Sequence, residues 1–495
     1  MGKTKSTRKS KTTKGEKMSR LFHSTVSRRD FMKSLGLAGT GIGVAALTAP
    51  TFHDLDELVS TDMANPKKPW FIKERELENP TMEVDWAQIK RFTSTHSALS
   101  NNTLYDVNYT NVLAGAIENR KKWMLDNSPG CTLKDNALNS SVGLPEGSTT
   151  PWVPSVKTPE ILGVPRYEGT PEENARMMRS ALRFFGAALV GYVPLTANTK
   201  NLIYSNGYTF EDTPNGYLDT KKGKVIPNSG MTVIPISSLT PVTSLMTAPS
   251  ILGHAGNNLQ NRLRDQAVSS GSRFLAALGY DGLCSGIGPA PAFSSLAGGG
   301  EIARTGGGLI SASYGIGLGT SMLTTNFPLE PTRPIDAGIA KFCCSCANCA
   351  DVCPSSSIPT DPEPTWELPE YVYSKIPGNS AQFSIPGKKA FWFNASTCTS
   401  YSMSISRCLA CVSSCVFTKM NGSNIHEIIK TIIANTPAFD RFFASMDQIF
   451  GYGNQEFKAG VGPPTGTFNT AGSDWWTWEL APNGAEERFF SKIAQ

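Results

Sequence analysis

Histidine is the scarcest reactive side chain in this sequence: five in 495 residues, at positions 23, 53, 96, 254 and 426. No H-E-x-x-H occurs, which excludes the helical zinc-hydrolase arrangement. A Ser/His/Asp triad has little to draw on. Nor does any stretch reach eighteen consecutive apolar residues, so no ordinary membrane-spanning helix is expected. Charge is sparse too, at 18% of residues, and the formal net +5 is unevenly placed. Residues 1–34 hold eleven Lys/Arg against two Asp/Glu, and the remaining 461 residues hold 35 against 39. A body with that balance, and without a basic stripe interleaved with aromatics, is not built to neutralise phosphates, so no nucleic-acid partner is expected.

What the basic start does carry is an address. Ser27-Arg28-Arg29-Asp30-Phe31-Met32-Lys33 leads into an apolar, Gly-rich and Ala-rich run from Leu35 to Ala49. A charged start, a weakly hydrophobic middle and small residues near the end make residues 1–49 a twin-arginine export signal, with Arg28 and Arg29 as its defining pair. Cleavage is expected after Ala46 or Ala49. That route carries proteins already folded, often because a cofactor must be inserted before export.

Cysteine is concentrated: eleven in all, nine of them between 343 and 415. Cys343, Cys346 and Cys349 are two residues apart, Cys353 follows after three more, and Pro354 comes next. This is C-x2-C-x2-C-x3-C-P, the bacterial ferredoxin run, in which three closely spaced thiolates wrap one cubane and the fourth points toward a second. A second run follows in Cys398, Cys408, Cys411 and Cys415. The crossing rule of two-cluster ferredoxins gives Cys343, Cys346, Cys349 and Cys415 to one [4Fe-4S] cluster and Cys353, Cys398, Cys408 and Cys411 to the other. Cys131, Cys284 and Cys344 are left over, and Cys344 is expected to be a spectator because using it would break the two-residue gap. Disulfides would not need this spacing, and structural zinc uses C-x2-C pairs into which the runs do not divide.

Two clusters move electrons but break no carbon bonds, and some 290 residues precede them. Residues 50–165 are rich in turn formers. In "YEGTPEENARMMRSALRFFGAALVGYVPL", Thr170 can cap a helix with Pro171 at its first position and Glu173 completing a capping box. Met178, Leu182 and Phe185 then form a core stripe, Gly186 ends the helix, and "LVGYVPL" reads as a strand. Residues 261–280 read as a second helix stopped by Gly279. The pattern is mixed α/β or α+β. Gly298, Gly299 and Gly300 open a Gly-rich tract that either lets backbone approach a large ligand or makes turns. A dinucleotide fingerprint there lacks the acidic residue about twenty positions on.

Taken together these segments resemble the respiratory reductive dehalogenases, the catalytic subunits of organohalide-respiring bacteria. The likeness covers SRRDFMK, PWFIKERELENPT with VDW, YEGTPEEN, FFGAALVG, FLAALGY, GGGEIAR, PLEPTRPIDAG at 328–338, both cysteine runs, "ANTPAFDRFFASMDQIFGYG" and Asp474-Trp475-Trp476. The resemblance implies an α+β fold: an α/β nitroreductase-like corrinoid-binding domain at 166–335, preceded by a region at 50–165 that packs on it. A ferredoxin-like domain with two [4Fe-4S] clusters would follow at 336–430 and a C-terminal segment at 431–495. It implies a base-off corrinoid (cobalamin) without a histidine ligand, which fits the lack of D-x-H-x-x-G, with Gly298, Gly299 and Gly300 as candidates to approach it. It further implies a small organohalide substrate, an upstream respiratory electron donor, and a small hydrophobic membrane-anchor subunit that holds the enzyme peripherally on the outer face of the cytoplasmic membrane.

One departure stands out. The family's proton-donating tyrosine aligns with Asn261, flanked by Arg262, and its basic partner falls near Gly319 or Ser321, in a stretch with no Lys or Arg. The asparagine that often follows LGY is missing as well. A neutral amide is no general acid. Three readings stay open: another proton source, with Arg262, Tyr280, Tyr314 or water as candidates; an elimination from a vicinal dihalide that needs no proton; or an inactive relative or electron-transfer protein. An epoxyqueuosine-reductase-like enzyme shares the cofactor set, but the export signal and acidic body count against it.

Overall fold

Thr170 begins a helix in the way its neighbours require. Its hydroxyl accepts from the Glu173 backbone N–H at 3.3 Å and the Glu173 carboxylate accepts from the Thr170 N–H at 3.1 Å, with Pro171 at the first helical position. The computed structural model describes residues 70–94, 109–142, 151–284, 286–305, 307–368, 386–405, 407–418, 424–449, 475–477 and 480. These lie in one compact unit, Lys68–Ala494. The expected export signal, with Arg28 and Arg29, lies outside the described residues.

In chain order come strand β1 (Lys73–Glu74) and helices α1 (Tyr109–Leu125), α2 (Leu133–Ser141) and α3 (Pro171–Phe184). Strands β2 (Leu189–Val190), β3 (Val193–Pro194), β4 (Tyr208–Glu211), β5 (Tyr217–Asp219), β6 (Gly223–Pro227) and β7 (Thr232–Leu239) follow. Next are α4 (Ile251–Leu278), β8 (Leu283–Cys284), α5 (Ala290–Leu296), β9 (Glu301–Ile302), β10 (Leu309–Ile310), β11 (Leu318–Thr325) and β12 (Ile335–Asp336). The cysteine-rich part adds α6 (Ile339–Ser345) and α7 (Ala395–Ser404), before α8 (Asn424–Asn435) and α9 (Asp440–Ile449).

The central sheet is antiparallel, in the order β2-β7-β11-β8, with β3 also on β7. Because side chains alternate across a strand, β7 and β11 feed two cores. Ile234, Ile236 and Leu323 meet Met178 and Leu182 of α3 and Ala267, Val268 and Leu275 of α4 on one face. Val233 and Met322 meet Phe293 and Leu296 of α5, with Ile89 of the N-terminal tract, on the other. Full burial of Met178 and Leu182 contributes roughly 2–3 kcal/mol each. An antiparallel sheet covered by helices in this way is a mixed α and β fold of the α+β kind.

Three elements differ from the sequence reading, each for a local reason. "LVGYVPL" is two short strands because Pro235, opposite the break, offers no N–H; its carbonyl alone takes the Gly191 N–H at 3.3 Å. The helix expected from 261 starts ten residues earlier, with the Ser250 hydroxyl accepting from the Gly253 N–H at 3.1 Å. Gly253 and Gly256 hide that start from a propensity reading. It ends at Gly279, φ +93°, as expected. Residues 50–165 contain α1 and α2, which the turn-rich composition concealed.

Candidate functional site

The first cysteine run lies on α6 and the loop beyond it: Cys343 is inside the helix, Cys346 closes it, Cys349 sits on the turn Asn348–Asp351 and Cys353 follows. The second run starts on α7 with Cys398 and continues through Cys408, Cys411 and Cys415 around the turn Ala410–Ser413. All eleven cysteines are free thiols. Burial raises the pKa of Cys343, Cys349 and Cys411 well above the ordinary thiol value, and their thiol neighbours raise it further. Cys343 feels Cys346 and Cys415; Cys349 feels Cys343, Cys411, Cys415 and Cys346. Cys398 is raised to about 11, by burial and then by Cys353, and Cys408 to about 12, by burial and then by Cys398 and Cys353. Cys411 feels Cys398, Cys408, Cys353 and Cys415, so the two cysteine runs lie against one another. Among the described residues no three His, Cys, Asp or Glu side chains converge as ligands of a single ion. Eight cysteines in two interleaved runs are what two multi-iron clusters require, rather than one zinc.

Cys344 is apart from both. Its Sγ contacts the Ala340 carbonyl at 3.5 Å and Glu363 at 3.9 Å. Cys131 is buried beside Trp123 and Ile251, and Cys284 lies in the α3–α4 core.

The GGGEIAR segment holds two residues that the sequence reading passed over. Glu301 is buried and accepts from the N–H groups of Ala337, Ile339 and Ala340, at the start of α6. Burial raises its pKa, and these hydrogen bonds pull it back. Arg304, 1% exposed, reaches the other end of α6. The three glycines before them are used internally: a Cβ would meet the Arg333 carbonyl at Gly298, the Ser294 hydroxyl at Gly299 and the Ile310 carbonyl at Gly300. Because the tract joins α5 to β9, it runs from helix to strand, the reverse of a dinucleotide fingerprint.

An apolar cavity of about 300 Å³ lies against these elements. Trp86, Phe92, Tyr204, Phe391 and Trp392 wall it, Ala340 of α6 and Ala395 of α7 border it, and the Lys388 ammonium stands 5.1 Å from the Trp392 ring centroid. A cavity of this size and lining suits a small apolar molecule. Elsewhere, His254 Nδ1, Asn257 Nδ2 and Tyr401 Oη are buried without hydrogen-bond partners among the described residues. Burial first, then Arg407 and Arg120, lower the His254 pKa to about 4, so the imidazole is neutral. Orphaned neutral donors and acceptors, Tyr401 among them beside Cys408, are what the amide rim of a corrin pairs with, so these residues fit that cofactor.

The family model described as "Reductive dehalogenase subunit" matches residues 67–209. The chloroethene reductive dehalogenase of Dehalococcoides mccartyi strain VS is 31% identical over 92% of this chain and 98% of its own length. The chain belongs to the reductive dehalogenase family. These enzymes are oxidoreductases that cleave carbon–halogen bonds with corrinoid and iron–sulfur cofactors. The tetrachloroethene reductive dehalogenase of Sulfurospirillum multivorans is 29% identical over 61% of each chain. Among solved structures, the catabolic reductive dehalogenase NpRdhA in complex with 3-bromo-4-hydroxybenzoic acid matches at TM-score 0.54 and 16% identity, over 80% of this chain and 53% of that one. The chain thus spans about half the length of that structure, and the likeness concerns the fold.

In this reductive dehalogenase the candidate proton donors do not gather at one point. Asn261 Oδ1 accepts from Arg264 Nη1 at 2.9 Å, and Arg262 reaches the Ser141 carbonyl at 3.4 Å. Tyr280 lies past the far end of α4, roughly 28 Å along the axis from Asn261, so the two cannot serve one substrate. Its hydroxyl donates to the Tyr167 carbonyl at 2.8 Å and its ring stacks on Phe327. Tyr314 is half-buried in the turn between Ser311 and Gly315. Where the family's basic residue is expected, Gly319 instead receives the side chain of the buried Gln260, whose Nε2 donates to the Gly319 carbonyl at 3.2 Å. Ser237 and Thr320, hydroxyls 2.7 Å apart, pair across β7 and β11 on the opposite face of the sheet.

Proposed function

We propose that the protein is an exported terminal reductase of organohalide respiration, acting on a small organohalide with a base-off corrinoid and two [4Fe-4S] clusters. Cys343, Cys346, Cys349 and Cys415 hold one cluster; Cys353, Cys398, Cys408 and Cys411 hold the other. The observation that carries this reading is the gathering of eight free cysteines in two runs beside a small apolar cavity. The cysteine-rich part is ferredoxin-like and the sheet domain nitroreductase-like. A twin-arginine signal takes the folded protein outward, a small hydrophobic membrane subunit holds it at the outer face of the cytoplasmic membrane, and a respiratory donor supplies electrons.

The corrinoid, when bound, supplies low-potential cobalt for carbon–halogen cleavage. The chain's own residues do the rest. His254, Asn257 and Tyr401 hold the rim of the macrocycle; Trp86, Phe92 and Trp392 shape a dry pocket for an apolar substrate; Lys388 gives a departing halide a cation. Gly298, Gly299 and Gly300 act indirectly, by fitting the tract against its own backbone. Reconstitution with iron, sulfide and cobalamin, followed by metal counting and a panel of chlorinated alkanes and alkenes, tests the proposal. About eight irons and one cobalt with halide release support it; about eight irons without cobalt uptake would make the chain an electron-transfer protein.

A second reading concerns the reaction type. Asn261 stands where the family's proton-donating tyrosine is expected, and Gly319, packed against Gln260, where its basic partner is expected, which favours removal of both halogens from a vicinal dihalide: two electrons enter, two halides leave, and a double bond forms without a proton. Turnover of 1,2-dichloroethane to ethene, faster than hydrogenolysis of a chloroethene, is expected. The reverse preference, with solvent deuterium in the product, would show that another proton source operates.

A further inference from the structure

Glu301 lies on β9 and Arg304 in the turn just after it, and the seven residues of α6 are about 10 Å long as a helix. The two side chains reach its two ends. Glu301 meets the N–H groups of Ile339 and Ala340 in the first turn. Arg304 donates through Nε to the Cys343 and Cys346 carbonyls at 3.0 and 2.9 Å, and through Nη2 to those of Cys343 and Cys344 at 2.8 and 3.4 Å. Negative charge at the start and positive charge at the end are the signs that the helix dipole favours.

Arg304 does more than close a helix. Its Nη1 donates to the Pro359 and Asp361 carbonyls, both at 2.7 Å, and its guanidinium carbon stands 4.3 Å from the Phe391 ring centroid. Among the described residues every hydrogen bond it makes ends on a carbonyl, and no carboxylate is among its partners. An arginine at this depth ordinarily has a counter-charge, because an uncompensated buried ion is costly.

We propose that Arg304 provides the positive charge that offsets the cluster held by Cys343, Cys346, Cys349 and Cys415, and that it thereby makes this cluster easier to reduce. The proposal rests on the two-cluster reading. Four thiolates around a cubane whose core carries two positive charges leave the site doubly negative, and reduction adds one electron and nothing else. A guanidinium bonded to the carbonyls of two of the ligands stabilises the more negative form. Glu301 and Arg304 are positioning residues: they set the helix and its electrostatics without touching substrate.

The test is a redox titration of the reconstituted holoprotein followed by electron paramagnetic resonance, comparing wild type with Arg304→Gln and Arg304→Lys. With full iron content, Arg304→Gln shifts one cluster to a more negative potential and leaves the other in place, whereas Arg304→Lys, which keeps the charge, shifts it less. Unmoved potentials in Arg304→Gln would overturn the proposal. If Arg304→Gln cannot retain iron, Arg304→Lys decides: iron retained with a near-native potential supports the charge role, and iron lost from both variants reduces Arg304 to a scaffold and overturns it. Failure of the two-cluster reading would show separately, as a wild-type protein without two cubane signals.

Discussion

Cys344 lies between two proposed ligands yet turns toward Ala340 and Glu363. Cys344→Ser is therefore expected to keep the full iron content of the holoprotein, while Cys343→Ser loses about half of it, as colorimetric iron counting will show. The ligand cysteines are legible because cluster geometry fixes their spacing. Arg304 was not: its partners are carbonyls 39 or more residues away, and a carbonyl has no residue type to read. Asp281 is a second case. Half-buried, it accepts from the Gly216 N–H at 2.8 Å, yet burial raises its pKa from 3.8 to about 6. Between those values the folded protein keeps a proton that the unfolded chain has released, so stability falls as pH rises from about 4 to 6 and stays lowered above it. Asp281→Asn removes that cost. The variant should gain on the order of 1–3 kcal/mol relative to wild type at pH 7 and little at pH 4, by thermal unfolding at the two pH values.

Helix α3 shows how much an element can announce itself. Its cap, its first proline and its buried stripe at Met178 and Leu182 all stood in the sequence, because each is a contact between residues three or four apart. Thr170→Ala should cost about 1 kcal/mol, seen as a lower unfolding temperature. Helix α4 kept its start hidden, since Gly253 and Gly256 look unfavourable until their neighbours are placed. At Gly256 a Cβ would run into the Ser244 hydroxyl, itself bonded to the Pro241 carbonyl at 2.8 Å. Helix propensity says that Gly256→Ala should stabilise by about 1 kcal/mol. Packing says the opposite, by roughly 1–3 kcal/mol, and a lowered unfolding temperature is the expected result. The broken strand at Pro235 belongs to the same class: the proline was visible, but the edge its missing N–H would face was not.

At the scale of the whole molecule, the sheet domain and the cysteine-rich part are joined by backbone approaches that only glycine allows. Gly315, φ +68°, lies against the Phe417 carbonyl just beyond Cys415, and Gly338, φ +75°, against Ile433 and Ala434 of α8. Such long-range fits, like the cavity between the N-terminal tract and Phe391-Trp392, bring together residues hundreds of positions apart and leave no periodic trace. The division of labour was legible, from cysteine spacing and from the length of chain before it; the joining surfaces were not. What unites the account is the crossed sharing of eight thiolates, and paired substitutions test it most directly. Under crossed sharing, Cys343→Ser with Cys415→Ser disables one cluster and leaves about four irons, whereas Cys343→Ser with Cys353→Ser disables both. Iron counting on the two reconstituted double variants should give that result. The opposite pattern, with about four irons kept by the Cys343/Cys353 variant and none by the Cys343/Cys415 variant, would mean that each run wraps its own cluster and would contradict the account.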